Sequence, residues 1–371
     1  MELFASAREN LSRVKTYQPG KPLEELEREY GIKNAVKMAS NENALGPSPK
    51  ALKAVRARLK SLHRYPDGGC FYLRKKLSAR LRVAPEELVF GNGSDELLVM
   101  AVRAFVKEGD EVVIADPTFL IYEIATQVEN ASVVKVPMRY FRYDLEAMKK
   151  KIGPRTKIVF IANPDNPVGT YVQAGELSAF LKEVPRRVVV VLDEAYYEFA
   201  ASKPGYPDSL RLLKSHENLV VTRTFSKAYG LSGLRIGYAV ARGPVAAALN
   251  KVREPFNVNL LAQVAAEAAL DDRKHLRRTL RMVEEGRLYL AAEFKKLAIP
   301  TVDTATNFIL ADLRRDAQGV YEALLRKGVI VRAMNAWGMK NFIRVTIGKR
   351  AENKRFVEAL KETLNEGVKA R

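Results

Sequence analysis

The chemically richest stretch of the chain is Thr222-Arg-Thr-Phe-Ser-Lys-Ala-Tyr-Gly-Leu-Ser-Gly-Leu-Arg-Ile-Gly-Tyr238, which sets Lys227 among hydroxyls, glycines and a following arginine. A lysine amine becomes a nucleophile, able to form a Schiff base, when nearby positive charge lowers its pKa. Arg235, eight residues on, can supply that charge and clamp an anion at the same time. Two more charged residues stand where charge is expensive. Asp193 closes the apolar run Arg187-Val-Val-Val-Val-Leu-Asp193, and Arg344 sits inside Asn341-Phe-Ile-Arg-Val-Thr-Ile347. Each needs an opposite charge or a full set of hydrogen bonds. For Lys227 alone, a solvated loop position is the ordinary reading, and the other strand ends decide against it.

The elements that would position these groups are mostly strands. Asn218 to Phe225 reads as a buried strand, which delivers Lys227 at its C-terminal end, where ligands bind in open α/β sheets. Arg187 to Asp193 is apolar enough to be buried on both faces. Lys157-Ile-Val-Phe-Ile-Ala-Asn-Pro-Asp-Asn-Pro-Val-Gly169 predicts a third strand, whose end carries Asn163 and Asn166, each before a proline. Leu88-Val-Phe-Gly-Asn-Gly-Ser-Asp-Glu96 predicts a short strand, two glycines and then Ser94 capping a helix from Leu97 to Val106. Such a loop turns free backbone N–H groups toward a phosphate. Glu111 to Ala115 is a further strand, followed by Asp116-Pro-Thr-Phe119, whose ring can stack on a planar ligand or join the core. A phosphate nest, an Asn, an Asp and a Lys are thus expected along one edge of a mostly parallel sheet.

With these motifs in order from Tyr17 to Gly348, the chain resembles the fold type I pyridoxal-phosphate aminotransferases and, within them, the histidinol-phosphate aminotransferases. The resemblance implies an α/β fold with a large domain built on the central sheet and a smaller α/β domain. The expected division is an N-terminal segment, 1–44, that contributes to the small domain and the substrate site, a cofactor-binding domain, 45–270, and a small C-terminal domain, 271–371. It implies pyridoxal 5′-phosphate as cofactor, Lys227 as its covalent anchor and proton shuttle, and transfer of an amino group between L-histidinol phosphate and 2-oxoglutarate.

Site roles follow from the same resemblance. The backbone of Ser94 and Asp95, with Thr224, Ser226 and Arg235, takes the cofactor phosphate. Phe119 stands where tyrosine is more usual and stacks on the ring, keeping the π face without the hydroxyl. Asn166 and Tyr196 bond the phenolic oxygen, and Asp193 pairs with the protonated ring nitrogen, which keeps the ring an electron sink. A structural Asp193 bonded to loop amides is the other reading. Arg344 forks onto a substrate α-carboxylate, while Tyr17 and Arg332 lie near the phosphate of a phosphorylated substrate. Arg332 read alone is a solvated strand-end arginine. The loop Ala39-Ser-Asn-Glu-Asn-Ala-Leu-Gly-Pro47 places Asn43 beside the carboxylate or is purely a turn. Tyr65, in His63-Arg-Tyr-Pro-Asp-Gly-Gly69, reaches the cofactor phosphate of a neighbouring subunit, which makes the active unit a homodimer; otherwise it is simply packed. Val168 and Asp165 depart from the family's usual threonine and asparagine, and one Asn-Pro bond is expected to be cis.

Composition bounds the remaining possibilities. The net charge of +19 is spread among acidic residues, as in Lys21 to Arg28 and Arg350 to Lys361, so it reads as surface and not as a nucleic-acid footprint. His63, His216 and His275 lack metal-ligand spacing, and Cys70 is alone, so no metal site is expected and a reducing cytosol fits best. No apolar run of about 18 residues predicts a membrane span, and the acidic start is unlike a signal peptide. Two alternatives keep the cofactor, an aromatic amino acid aminotransferase and a phosphothreonine decarboxylase-like enzyme. A third makes the chain a regulator or nucleic-acid binder on the same fold.

Overall fold

The computed structural model describes residues 6–369. Among the described residues twelve strands form three sheets. They are β1 (Val36–Lys37), β2 (Leu88–Gly91), β3 (Glu111–Asp116), β4 (Ser132–Pro137), β5 (Thr156–Ala162), β6 (Val189–Asp193), β7 (Leu219–Thr224), β8 (Gly237–Ala241), β9 (Phe308–Asp312), β10 (Val329–Ile330), β11 (Arg332–Ala333) and β12 (Phe342–Thr346). The large sheet has the order β2-β8-β7-β6-β5-β3-β4. The pairings from β4 through β7 are parallel, and β8 runs antiparallel to both β7 and β2. Hence β2, β3, β5, β6 and β7 all end on the same edge, and β8 begins there.

Strand residues alternate between two cores with the period of a pleated sheet. Phe90, Val113, Val159, Ile161, Val190 and Val221 pack on one face, against the helices Pro49–Arg58, Phe71–Leu81, Ala174–Glu183 and Leu260–Leu270. Val89, Val112, Ile114, Phe160, Val191 and Val220 pack on the other, against Ser94–Phe105, Leu120–Val128 and Gly243–Val252. A third core gathers β9 and β12 with the helices Arg273–Lys296, Ala317–Arg326 and Arg350–Lys369.

The run Val329 to Ala333 holds two short strands and not one. Its first half, β10, pairs in parallel with β1, and its second half, β11, pairs antiparallel with β12, so the chain changes partners at Val331. Distant partners decide this, because β1 comes from the N-terminal part of the sequence. Residues 243–296 form three helices, Gly243–Val252, Leu260–Leu270 and Arg273–Lys296. The last two part at Asp271 and Asp272, where the Asp272 side chain caps the long helix by accepting from His275 N at 3.1 Å.

Candidate active site

The shared strand edge gathers the chemistry. A cavity of about 160 Å³ is lined by Tyr17, Ser94, Asp95, Phe119, Asn166, Asp193, Tyr196, Thr224, Ser226, Lys227, Arg235, Arg332 and Arg344. These are the sequence-derived candidates with the exceptions of Asn43 and Tyr65. The antiparallel β8 explains Arg235, since a strand that begins where its neighbours end carries its preceding loop to their edge.

Lys227 follows β7, partly buried, with its Nζ donating to the Ser40 carbonyl at 3.1 Å. Burial first, and Arg344 second, lower its pKa to about 8. Arg235 also lowers it, as expected, though by less than Arg344. It is held by Asp95, whose carboxylate accepts from Nη2 at 3.1 Å.

The helix that faces Arg235 begins at Ser94, which is its first residue and not its cap. Gly93 takes the cap position with φ +82°. Only glycine fits there: a Cβ would lie 2.5 Å from Arg235 Nη2. A Cβ on Gly237 would lie 2.6 Å from Ser94 N, so the loop and β8 approach backbone to backbone. The first-turn amides of this helix have no intrahelical partners, which leaves them available to an anion beside Arg235. The Thr224 hydroxyl donates to Ser226 Oγ at 3.0 Å on the adjoining wall.

Asp193 is 4% exposed. It accepts from Tyr122 Oη at 2.8 Å, Thr222 Oγ1 at 3.1 Å and Ala195 N at 3.2 Å. Burial outweighs these bonds and pushes its pKa up to about 6. Of its partners, Tyr122 and Thr222 were not anticipated. Tyr122 is fully buried, stacked on Phe160 at 4.4 Å with Phe119 edge-on at 5.7 Å. Thr222 lies opposite Asp193 in the parallel register of β6 and β7. Knowledge of that register would have revealed Thr222, while nothing in the local sequence marks Tyr122.

Arg344 lies on β12, 6% exposed, with Nη2 donating to the Ala39 carbonyl at 3.1 Å and Nη1 to Asn166 Oδ1. Its Nε is buried and has no partner among the described residues. Burial lowers its pKa, with the neighbouring Arg332 adding to that effect. Arg332 stands directly opposite in the β11–β12 register and donates to the Gln18 carbonyl at 2.6 Å. Tyr196 is buried, with its hydroxyl accepting from Asn41 Nδ2 at 2.8 Å.

Asn43 does not reach the cavity. Its Nδ2 donates to the Ala228 carbonyl and to Thr279 Oγ1, both at 3.0 Å, and its Oδ1 accepts from Leu45 N at 2.9 Å. The loop contributes Ser40 and Asn41 instead, because Asn41 adopts φ +56° and turns the backbone there. Tyr65 is 83% exposed and stacks on Phe256 at 4.8 Å, and it does not line the cavity. The Asn163–Pro164 bond is cis, as is Asp116–Pro117. Asp165 wires the loop by accepting from Thr118 Oγ1 at 2.7 Å, Tyr143 Oη at 3.1 Å and Val168 N at 3.1 Å. Among the described residues no cluster of His, Cys, Asp and Glu could hold a metal, and no helix is long and apolar enough to cross a membrane.

Comparison with known proteins agrees with this geometry. The family model for aminotransferase class I and II matches residues 33–360. A histidinol-phosphate aminotransferase of Moorella thermoacetica is 49% identical over 96% of this chain and 92% of the relative. Histidinol-phosphate aminotransferase 2 of Pseudomonas aeruginosa is 48% identical over 98% and 99% of the two chains. The crystal structure of histidinol-phosphate aminotransferase from Sinorhizobium meliloti in complex with pyridoxal-5′-phosphate superimposes with a TM-score of 0.89 at 29% identity, covering 98% of this chain and 99% of the other. With a match that runs through every strand end described above, the chain belongs to the class I and II aminotransferases.

Proposed function

We propose that this aminotransferase uses pyridoxal 5′-phosphate to move an amino group between L-histidinol phosphate and 2-oxoglutarate. The observation that carries the reading is the pair Arg332 and Arg344, cross-strand neighbours at the cavity wall, one of them buried with an unpartnered Nε. Two facing cations in a site with a reactive lysine suit substrates that bring two or more negative charges. The names of the relatives supply the identity of those substrates.

The residues present fit the cofactor. Gly93 and Gly237 leave no room for a side chain where the helix amides meet Arg235, so that corner is shaped for a phosphate. Thr224 and Ser226 add hydroxyls to it. Asp193, pushed toward protonation by burial, gains most from a cation placed on it, which is the role of a ring nitrogen. Phe119 offers a flat face beside it.

When bound, pyridoxal phosphate supplies an electron sink and carries the amino group between the two half-reactions. Lys227 would anchor it covalently, and its amine would take the proton from the substrate Cα and return it. A pKa near 8 suits both duties near neutral pH. Arg344 and Arg332 orient the anionic groups of the substrate, and Tyr17, Asn166 and Tyr196 line the same cavity, Asn166 accepting from Arg344.

The active unit in this reading is a homodimer in which Tyr65 serves the neighbouring site. Its support is the exposure of the large apolar side chains Leu62, Tyr65, Phe71, Tyr72 and Phe256, with Tyr65 stacked on Phe256 and Phe71 against Tyr72. Lys227→Ala and Tyr65→Ala variants, each inactive or impaired alone, should regain activity when mixed, since each hybrid then holds one intact site. A cytosolic setting rests on the single buried thiol of Cys70.

The substrate is tested by single-turnover spectroscopy of the cofactor-loaded protein with histidinol phosphate, glutamate, phenylalanine and phosphothreonine, timing the loss of the visible cofactor band. Fast conversion by histidinol phosphate and glutamate is expected. Fast conversion by phenylalanine assigns the protein to the aromatic enzymes instead.

A further inference from the structure

Trp337 is the chain's single tryptophan and stands at the cavity wall in the short 3-10 turn Asn335–Trp337 between β11 and β12. Its ring lies 5.5 Å from the Arg332 guanidinium and 5.8 Å from that of Arg344. Its Nε1 donates to the Thr118 carbonyl at 2.8 Å, across from the small sheet to the loop that carries Phe119. Like charges directly opposite on neighbouring strands repel, and Arg332 and Arg344 are such a pair. The neutral, electron-rich face of an indole attracts both cations, so it offsets part of that repulsion and restrains where each fork points.

We propose that Trp337 is a specificity-determining residue, a platform that holds the two guanidiniums as one receptor for multiply anionic substrates and ties that receptor to the Phe119 loop. The proposal rests on the substrate reading given above, and it adds a residue that neither arginine's charge nor its strand position accounts for. Without the ring the two forks separate and the anion meets one preset cation where it met two. With phenylalanine the face remains and only the tether to Thr118 is lost. Trp337 also stands with Tyr17 and Phe119 between the site and a neighbouring cavity of about 760 Å³, so its surroundings change when a ligand enters.

The test uses the full-length, cofactor-loaded protein and the variants Trp337→Phe and Trp337→Leu. Trp337→Leu is expected to raise KM for both histidinol phosphate and glutamate about tenfold, the size of a partly desolvated cation–π contact, with kcat changed by less than about threefold. Trp337→Phe should restore KM to within about threefold of wild type. Emission from the sole tryptophan of the wild-type protein should change saturably when histidinol phosphate or 2-oxoglutarate is added. Unchanged KM values in Trp337→Leu overturn the proposal, as does an emission spectrum indifferent to both ligands. The emission readout holds even where the leucine variant fails to fold. If wild-type protein turns over glutamate and not histidinol phosphate, the substrate reading fails, and the KM for glutamate in the two variants still decides the role of Trp337.

Discussion

Asp193→Asn offers the sharpest check on the idea that this carboxylate is held in waiting for a cation. In the protein without cofactor, burial raises the Asp193 pKa from 3.8 to about 6, despite donors from Tyr122, Thr222 and Ala195. A shift of about two units at about 1.4 kcal/mol per unit means that ionised Asp193 costs the folded state about 3 kcal/mol. The folded pKa lies above the unfolded one, so its stabilising contribution is present at low pH and lost as pH rises through 6. The penalty is therefore full above about pH 7 and gone below about pH 4. Asparagine keeps the shape, accepts from Tyr122 and donates to Thr222, while giving up the strength of charge-assisted bonds and the bond from Ala195 N, which shares its acceptor oxygen with Thr222. A net gain of about 1–2 kcal/mol is expected at pH 8, or roughly 1–3 °C in Tm for a chain of this length. Thermal melts of cofactor-free wild type and Asp193→Asn from pH 4 to 8 should diverge with rising pH. Cofactor binding should move the other way, with the variant at least about tenfold weaker because the ring cation has lost its partner. Equal melting temperatures at pH 8 would refute the reasoning, since the three donors would then repay the burial in full.

The rate at which cofactor attaches to Lys227 should climb with pH through about 8 and level off above it, because the neutral amine is the reactive form and burial with Arg344 depresses its pKa; an inflection near 10 contradicts that environment. Lys227→Ala should keep the fold by circular dichroism and lose multiple turnover. Arg344→Lys keeps the charge and loses the fork, so KM for both substrates should rise about 30-fold, the effect of about 2 kcal/mol. Asn43→Ala removes three hydrogen bonds that fasten the 39–47 loop, and should cost about 1–3 kcal/mol of stability with KM within twofold. A large KM change at unchanged Tm would return Asn43 to the substrate site.

What the sequence determined was local. An apolar run of Val, Ile and Leu has one economical fate, a strand buried on both faces, so the ends of β2, β5, β6 and β7 were legible, and with them Gly93, Asn166, Asp193 and Lys227. A charge at such an end, as at Asp193, or inside such a run, as at Arg344, declares that it needs a partner. What tertiary structure alone decided was who the partners are. Strand order and register put Thr222 beside Asp193 and Arg332 opposite Arg344. The antiparallel entry of β8 brought Arg235 to Asp95, and the placement of β12 made Arg344 the larger of the two arginine influences on Lys227. Asn43 has the composition of a ligand-binding loop residue, and only the packing of its loop against Ala228 and Thr279 shows its amide already fully engaged. Contacts between residues more than a hundred positions apart leave no periodic trace in a sequence, because they depend on where whole elements dock and not on the preference of any one of them.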